Sequence, residues 1–199
     1  MSAPAAMARG AESVGEAPPI DESQPPVAVR LVERIEQASS LDPIAGRVEG
    51  FLWDALPNGK PRELIEGRWL GHALHPALSD LPVGAWTSSV ILDLLGAPGA
   101  RRDADLLIGV GLVAALPVAL SGWTDWSHAD ETQQRVGLAH AAANISATLL
   151  FTASLRSRLR GRRGLGKLLS IAGIGAAGAG AYAGGHLAFA RGAGMGQRG

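Results

Sequence analysis

The chain has 199 residues with 18 basic and 18 acidic side chains and no cysteine. The missing thiols exclude disulfides, thiolate zinc sites and cysteine nucleophiles, and a formal net charge of zero gives no footing for nucleic-acid binding. Mean hydropathy of +0.14 averages two unlike parts. Residues 1–70 carry 11 acidic and 7 basic groups and most of the prolines, whereas residues 71–199 carry 7 acidic and 11 basic groups set between apolar runs.

Residues 1–26 are rich in Ala, Pro, Glu and Ser without periodicity, which predicts a disordered tail. No apolar segment of a secretory signal follows Met1 to Met7. From 27 to 70 the pattern turns helical: Ala28, Leu31, Val32, Ile35 and Ala38 share one face, and Ile44, Val48, Phe51, Leu52 and Ala55 repeat it after Asp42-Pro43. Two short amphipathic helices are expected, lying on the outer membrane surface or folded over the mouth of a helical bundle. Pro57-Asn-Gly-Lys-Pro61 reads as the turn beyond them.

Residues 71–199 read as an all-α, four-helix membrane bundle with spans near 75–96, 104–126, 136–156 and 168–190. Leu106–Trp123, Val136–Leu155 and Leu168–Ala190 run 18, 20 and 23 residues without a charged side chain, and about 20 residues cross a hydrocarbon core. The first span is less clean. Pro76 suits a helix start, but Asp80 and Asp93 must sit near the two interfaces or face a polar interior.

Basic residues in the connections set the orientation. Arg101, Arg102, Arg156, Arg158, Arg160, Arg162, Arg163 and Lys167 fall in the first and third connections, and only Arg135 in the second. The first and third connections are therefore expected in the cytoplasm, with both termini outside. The segment Gly161-Arg-Arg-Gly-Leu-Gly-Lys lacks phosphate-loop spacing and suits anionic headgroups there.

On this threading the histidines converge. His72 and His75 open the first span, His140 lies five residues beyond Arg135, and His186 lies five residues before Arg191, all towards the outer face. Intramembrane histidines mark cofactors, ion paths or partners. His140 and His186 are candidate axial ligands of a b-type haem, with His72 and His75 as a second pair, and all four are candidate ligands of a divalent metal. Asn144 and Tyr182 stand one turn from His140 and His186, able to orient the rings or supply a hydroxyl, and Arg135 and Arg191 could pair with propionates. The competing reading is that the histidines bind no cofactor and knit the bundle by interhelical hydrogen bonds. The same choice attends the glycines from 173 to 185: room for a macrocycle, or close helix packing. His128 is expected in solvent, Trp123 and Trp126 in an interfacial belt, and Asp125 in local capping. Ion passage along Asp80 and the histidines lacks a charged path across the other half of the bilayer.

The motifs Gly71-His-Ala-Leu-His-Pro76, Asp80-Leu-Pro-Val-Gly-Ala-Trp86, Leu92-Asp-Leu-Leu-Gly96, Gly122-Trp-Thr-Asp-Trp126, Arg135-Val-Gly-Leu-Ala-His140 with Asn144, and Gly184-Gly-His-Leu187 resemble the bacterial membrane family known as domain of unknown function 2231. Ala73 replaces a proline usual in the first motif. The resemblance covers about Leu64 to Gly194 and implies a four-span protein of the bacterial cytoplasmic membrane without an established activity. Some members of that family are fused to a Rieske-type iron-sulfur domain, which implies an electron-transfer setting. A Rieske centre needs two cysteines, so here an iron-sulfur or other redox partner would be a separate polypeptide. Two functions stay open: a haem- or metal-binding electron-transfer component, and a structural or anchoring subunit for such a partner.

Overall fold

The computed structural model describes residues 25–56, 59–71, 73–96 and 99–192. Residues 1–24 of the predicted tail, and His72, lie outside the described residues. All regular elements among the described residues are helical: α1 Val27–Glu36, α2 Asp42–Ala55, α3 Lys60–Glu66, α4 Leu74–Leu95, α5 Ala100–Trp126, α6 Glu131–Leu159 and α7 Arg163–Gly185, the last continued by a π turn over His186–Ala190. α5, α6 and the α7 segment to Ala190 are long and apolar enough to cross a membrane. α4 has 22 residues, but its aspartates and prolines dilute its hydropathy, and it falls outside that class.

Local chemistry sets the boundaries. Asp130 caps α6 through its side chain, accepting from Gln133 N at 2.8 Å while Gln133 Oε1 accepts from Asp130 N at 3.2 Å, a reciprocal capping box. Gly96, at φ 64°, closes α4 in a left-handed conformation that only glycine adopts cheaply. α6 runs on to Leu159 and α7 begins at Arg163, so the third connection is shorter than the sequence pattern suggests. Arg156 and Arg158 stand on the helix, and Arg158 is no loop charge: its side chain is 0% exposed.

α4 packs mainly on α5, and α6 on α7; α4 also meets α7, and α5 meets α6, which sets α4 and α6 across the centre from each other. Lipid provides no hydrophobic drive for helix association, so close packing must supply it. Here rings seat on glycines. Trp86 covers Gly111, Phe151 covers Gly173 and Trp126 covers Gly137; a Cβ added at those glycines would lie 2.3, 2.9 and 2.3 Å from the ring atoms. Trp86 and Phe151 then stack on each other, centroids 4.5 Å apart and planes 12° off parallel. Trp126 is buried and donates Nε1–H to Gln134 O at 3.0 Å. This corrects its expected place in an interfacial belt: its indole finds a backbone acceptor inside the bundle.

The two hairpins repeat one plan. His75, Ser79, Trp86, Ser89 and Asp93 of α4 recur 65 positions later as His140, Asn144, Phe151, Ser154 and Arg158 of α6. Gly111, Val118 and Gly122 of α5 recur 62 positions later as Gly173, Gly180 and Gly184 of α7. Equivalent residues meet at the centre: His75 with His140, Trp86 with Phe151, Asp93 with Arg158. A twofold axis running down the bundle would produce these contacts.

Candidate functional site

At one end of the bundle, His75 and His140 project from α4 and α6 and pack edge to face, centroids 5.9 Å apart and planes 79° apart. His75 Nδ1 lies 2.9 Å from Val118 O on α5, and His140 Nδ1 lies 2.8 Å from Gly180 O on α7. A carbonyl only accepts, so both Nδ1 atoms carry the proton and both Nε2 atoms carry the lone pair of the neutral ring. His140 Nε2 accepts from Asn144 Nδ2 at 3.1 Å. His75 Nε2 has no hydrogen-bond partner among the described residues. Each imidazole is seated on a glycine: a Cβ at Gly122 would lie 2.7 Å from the His75 ring, and one at Gly184 would lie 2.9 Å from the His140 ring. Gly180 gives the Asn144 amide the same close approach.

Of the four candidate ligand histidines, the ring that packs on His140 is that of His75. His186 lies at the same end, but its Nε2 is 2.7 Å from Glu36 Oε1 on α1. Arg191 grips the same carboxylate, Nε to Oε1 at 2.7 Å and an Nη to Oε2 at 2.5 Å. Arg135 forks onto Asp42 at 2.6 and 2.8 Å and reaches Glu36 O at 2.8 Å. The two arginines assigned to propionates thus bind carboxylates of the N-terminal segment. That pairing holds the Glu36 carboxyl below its ordinary range despite burial, and Asp42 likewise. Tyr182, on α7 one turn before His186, points outward, 43% exposed. The glycines at 173, 180 and 184 hold Phe151, Asn144 and His140, so side chains of the chain itself fill the space they create.

These ion pairs dock α1 and α2 over the ends of α6 and α7. Val32 packs with Val136 and Ala183, and Ala45, Leu52 and Leu56 pack with Trp126. Beside them Arg62 bridges Glu66 at 3.0 Å and Ser127 at 2.9 Å and stacks over Trp53 at 4.6 Å, with exposed His128 within 3.3 Å of both Arg62 and Glu66. A polar cavity of about 500 Å³ opens nearby, lined by Asp130, Glu131, Thr132, Gln133, Ala190 and Arg191; no histidine lines it. Among the described residues no group of three or more His, Asp and Glu is arranged to hold a metal ion.

The opposite end carries a site that sequence reasoning missed. Arg158 binds both carboxylate oxygens of Asp93, Asp105 at 3.3 Å, and the hydroxyls of Ser154 and Ser170 at 3.0 Å each. Arg163 binds Asp105 at 3.1 and 2.5 Å, and Lys167 Nζ donates to Asp93 O at 2.7 Å. The network joins all four long helices. Its signal was available: Asp93 follows His75, and Arg158 follows His140, by 18 residues, which is five full turns and about 27 Å of helix. Each charge therefore lies on the same helix face as its histidine.

A bundle of long apolar helices, with buried polar groups concentrated towards its two ends, defines a helical membrane protein. Residues 71–197 match the family model described as predicted membrane protein (DUF2231), and the chain belongs to that family. Comparison with curated proteins and with solved structures finds no match in either.

Proposed function

We propose that the protein is an electron-transfer component of the bacterial cytoplasmic membrane in which His75 and His140 would hold a b-type haem. The observation that carries this reading is the hydrogen bonding of the two imidazoles. Ligating histidines characteristically donate the second ring N–H to a backbone carbonyl or carboxylate, which fixes the tautomer and aims the lone pair. Both rings have that arrangement. A bare ion is ordinarily held by three or four protein ligands, whereas haem would be held by one or two side chains, so a two-imidazole donor set favours haem over a divalent metal. When bound, haem would supply one-electron chemistry; the protein's share is to orient the rings and exclude water.

In this reading α4 crosses the membrane as the fourth span, and the histidine end and both termini face outward. The orientation rests on the basic residues at the Asp93–Arg158 end. A separate iron-sulfur or other redox protein would exchange electrons at the histidine end.

One contact favours a second reading. Asn144 Nδ2 already occupies His140 Nε2, so the histidines serve equally as latches in a structural subunit that anchors a redox partner and holds no cofactor. A dithionite-reduced minus air-oxidised spectrum of the purified protein in mild detergent, with iron analysis, separates the two. The haem reading expects sharp bands with stoichiometric iron, lost in His75→Ala and His140→Ala and retained in His186→Ala. Colourless, iron-free protein from haem-sufficient cells would overturn it in favour of the anchor.

A further inference from the structure

The basic residues at the Asp93–Arg158 end divide into two sets. Arg158 and Arg163 turn into the bundle and are matched by Asp93 and Asp105, and Lys167 donates to the backbone carbonyl of Asp93. Arg101, Arg102, Arg156, Arg160 and Arg162 are exposed and have no side-chain partner among the described residues; of these, Arg156 near the end of α6 and Arg160 just beyond it lie one turn apart. Between α5 and α6 they border a groove of about 390 Å³ whose remaining lining is Leu112, Thr152, Leu155 and Leu159. The lining is thus graded along the helix: Thr152 lies about 6 Å from Arg156 on the side of the bilayer centre, and Arg160 about 6 Å beyond Arg156 on the other. Two unmatched cations at the water end of an apolar groove complement an amphiphile with an anionic head and a hydrocarbon chain.

We propose that this groove binds one anionic phospholipid, its phosphate held by Arg156 and Arg160 and one acyl chain lying along Leu155 and Leu112. A free phosphate would use the arginines and leave the apolar walls unexplained. A neutral lipid would use the walls and leave the charge unmatched. Each arginine near a membrane surface contributes about 1 kcal/mol to anionic-lipid binding.

Native mass spectrometry of the detergent-purified full chain, titrated with phosphatidylglycerol or phosphatidylcholine, tests the site. The expected result is one tightly held phosphatidylglycerol, with the paired change Arg156→Gln and Arg160→Gln weakening its retention about thirtyfold, the equivalent of two such contributions. Thr152→Trp, which fills the groove and keeps both charges, should weaken it comparably. Arg102→Gln, which removes a basic residue outside the groove, should leave it unchanged. Gel filtration confirms that each variant is folded. Equal retention of the two lipids, undiminished retention in the arginine pair, or loss of phosphatidylglycerol to millimolar inorganic phosphate would each overturn the proposal.

Discussion

The two ends of the bundle solve one problem with different chemistry. At the histidine end, equivalent positions of the two hairpins carry like residues, His75 and His140, each bonded to a backbone carbonyl of its own hairpin. Five turns away the equivalent positions carry opposite charges, Asp93 and Arg158, bonded to each other. The first arrangement closes each hairpin within itself, and the two rings meet edge to face between the hairpins. The second ties one hairpin to the other and spends its charge in doing so. Charge pairing between the hairpins is thus placed at one end of the axis.

That division implies an order of sensitivity. Removing one partner of a buried ion pair leaves an uncompensated charge and costs about 3–5 kcal/mol, so Arg158→Met or Asp93→Leu should lower the unfolding midpoint in detergent more than any single change at the histidine end. His140→Ala, which removes hydrogen bonds between membrane helices, should cost about 1–2 kcal/mol. If His140→Ala proves as damaging as Arg158→Met, that order is wrong. Because Asp93 and Arg158 are equivalent positions, exchanging them in one double variant should recover part of what either single change loses.

The glycine seats give the next effect. Gly111→Ala forces a methyl against Trp86, and overpacking of this kind costs about 1–3 kcal/mol. Gly109 lies on the same helix with open space around its Cβ direction. Gly109→Ala should therefore be neutral, or stabilise by up to about 1 kcal/mol. Equal thermal shifts for the two variants would remove the seats as a source of cohesion.

A smaller effect concerns the N-terminal clasp. Glu36 and Asp42 have depressed folded pKa values because Arg191 and Arg135 hold their charged forms. Stability from such groups is complete above the unfolded carboxylate range, near pH 4, and is lost as pH falls through the depressed folded values. Limited proteolysis should find α1 and α2 protected from pH 7 to about pH 4 and cleaved below it, with Glu36→Gln cleaved more readily at pH 7. The least consequential change is Arg62→Ala at the rim, where its pairing with Glu66 and stacking on Trp53 should contribute under about 1 kcal/mol.

Much of this was legible in the sequence. Uncharged runs located α5, α6 and α7, and span direction brought His75, His140 and His186 to one end. The sequence reading paired His140 with His186, whereas the ring that packs on it, His75, arrives from a helix 65 positions away. Glu36 and Asp42 were invisible as partners for the same reason: they reach Arg191 and Arg135 from 155 and 93 positions away. Arg158 was hidden by its neighbours, since beside Arg156, Arg160, Arg162 and Arg163 a buried arginine looks like loop charge. The duplication is blurred because Trp86 answers to Phe151 and Asp93 to Arg158, pairs that keep size or role and change identity.

Each ring that seats on a glycine across its own hairpin also fixes how far one helix can slide along the other. Trp86 on Gly111 and His75 on Gly122 register α4 against α5 at two heights, and Phe151 on Gly173 and His140 on Gly184 do the same for α6 and α7. Each hairpin is therefore keyed within itself, independently of the other. The chain can then be cut in the short loop between α5 and α6 and supplied as two polypeptides, which should find each other through Asp93 and Arg158 with their helices already in step.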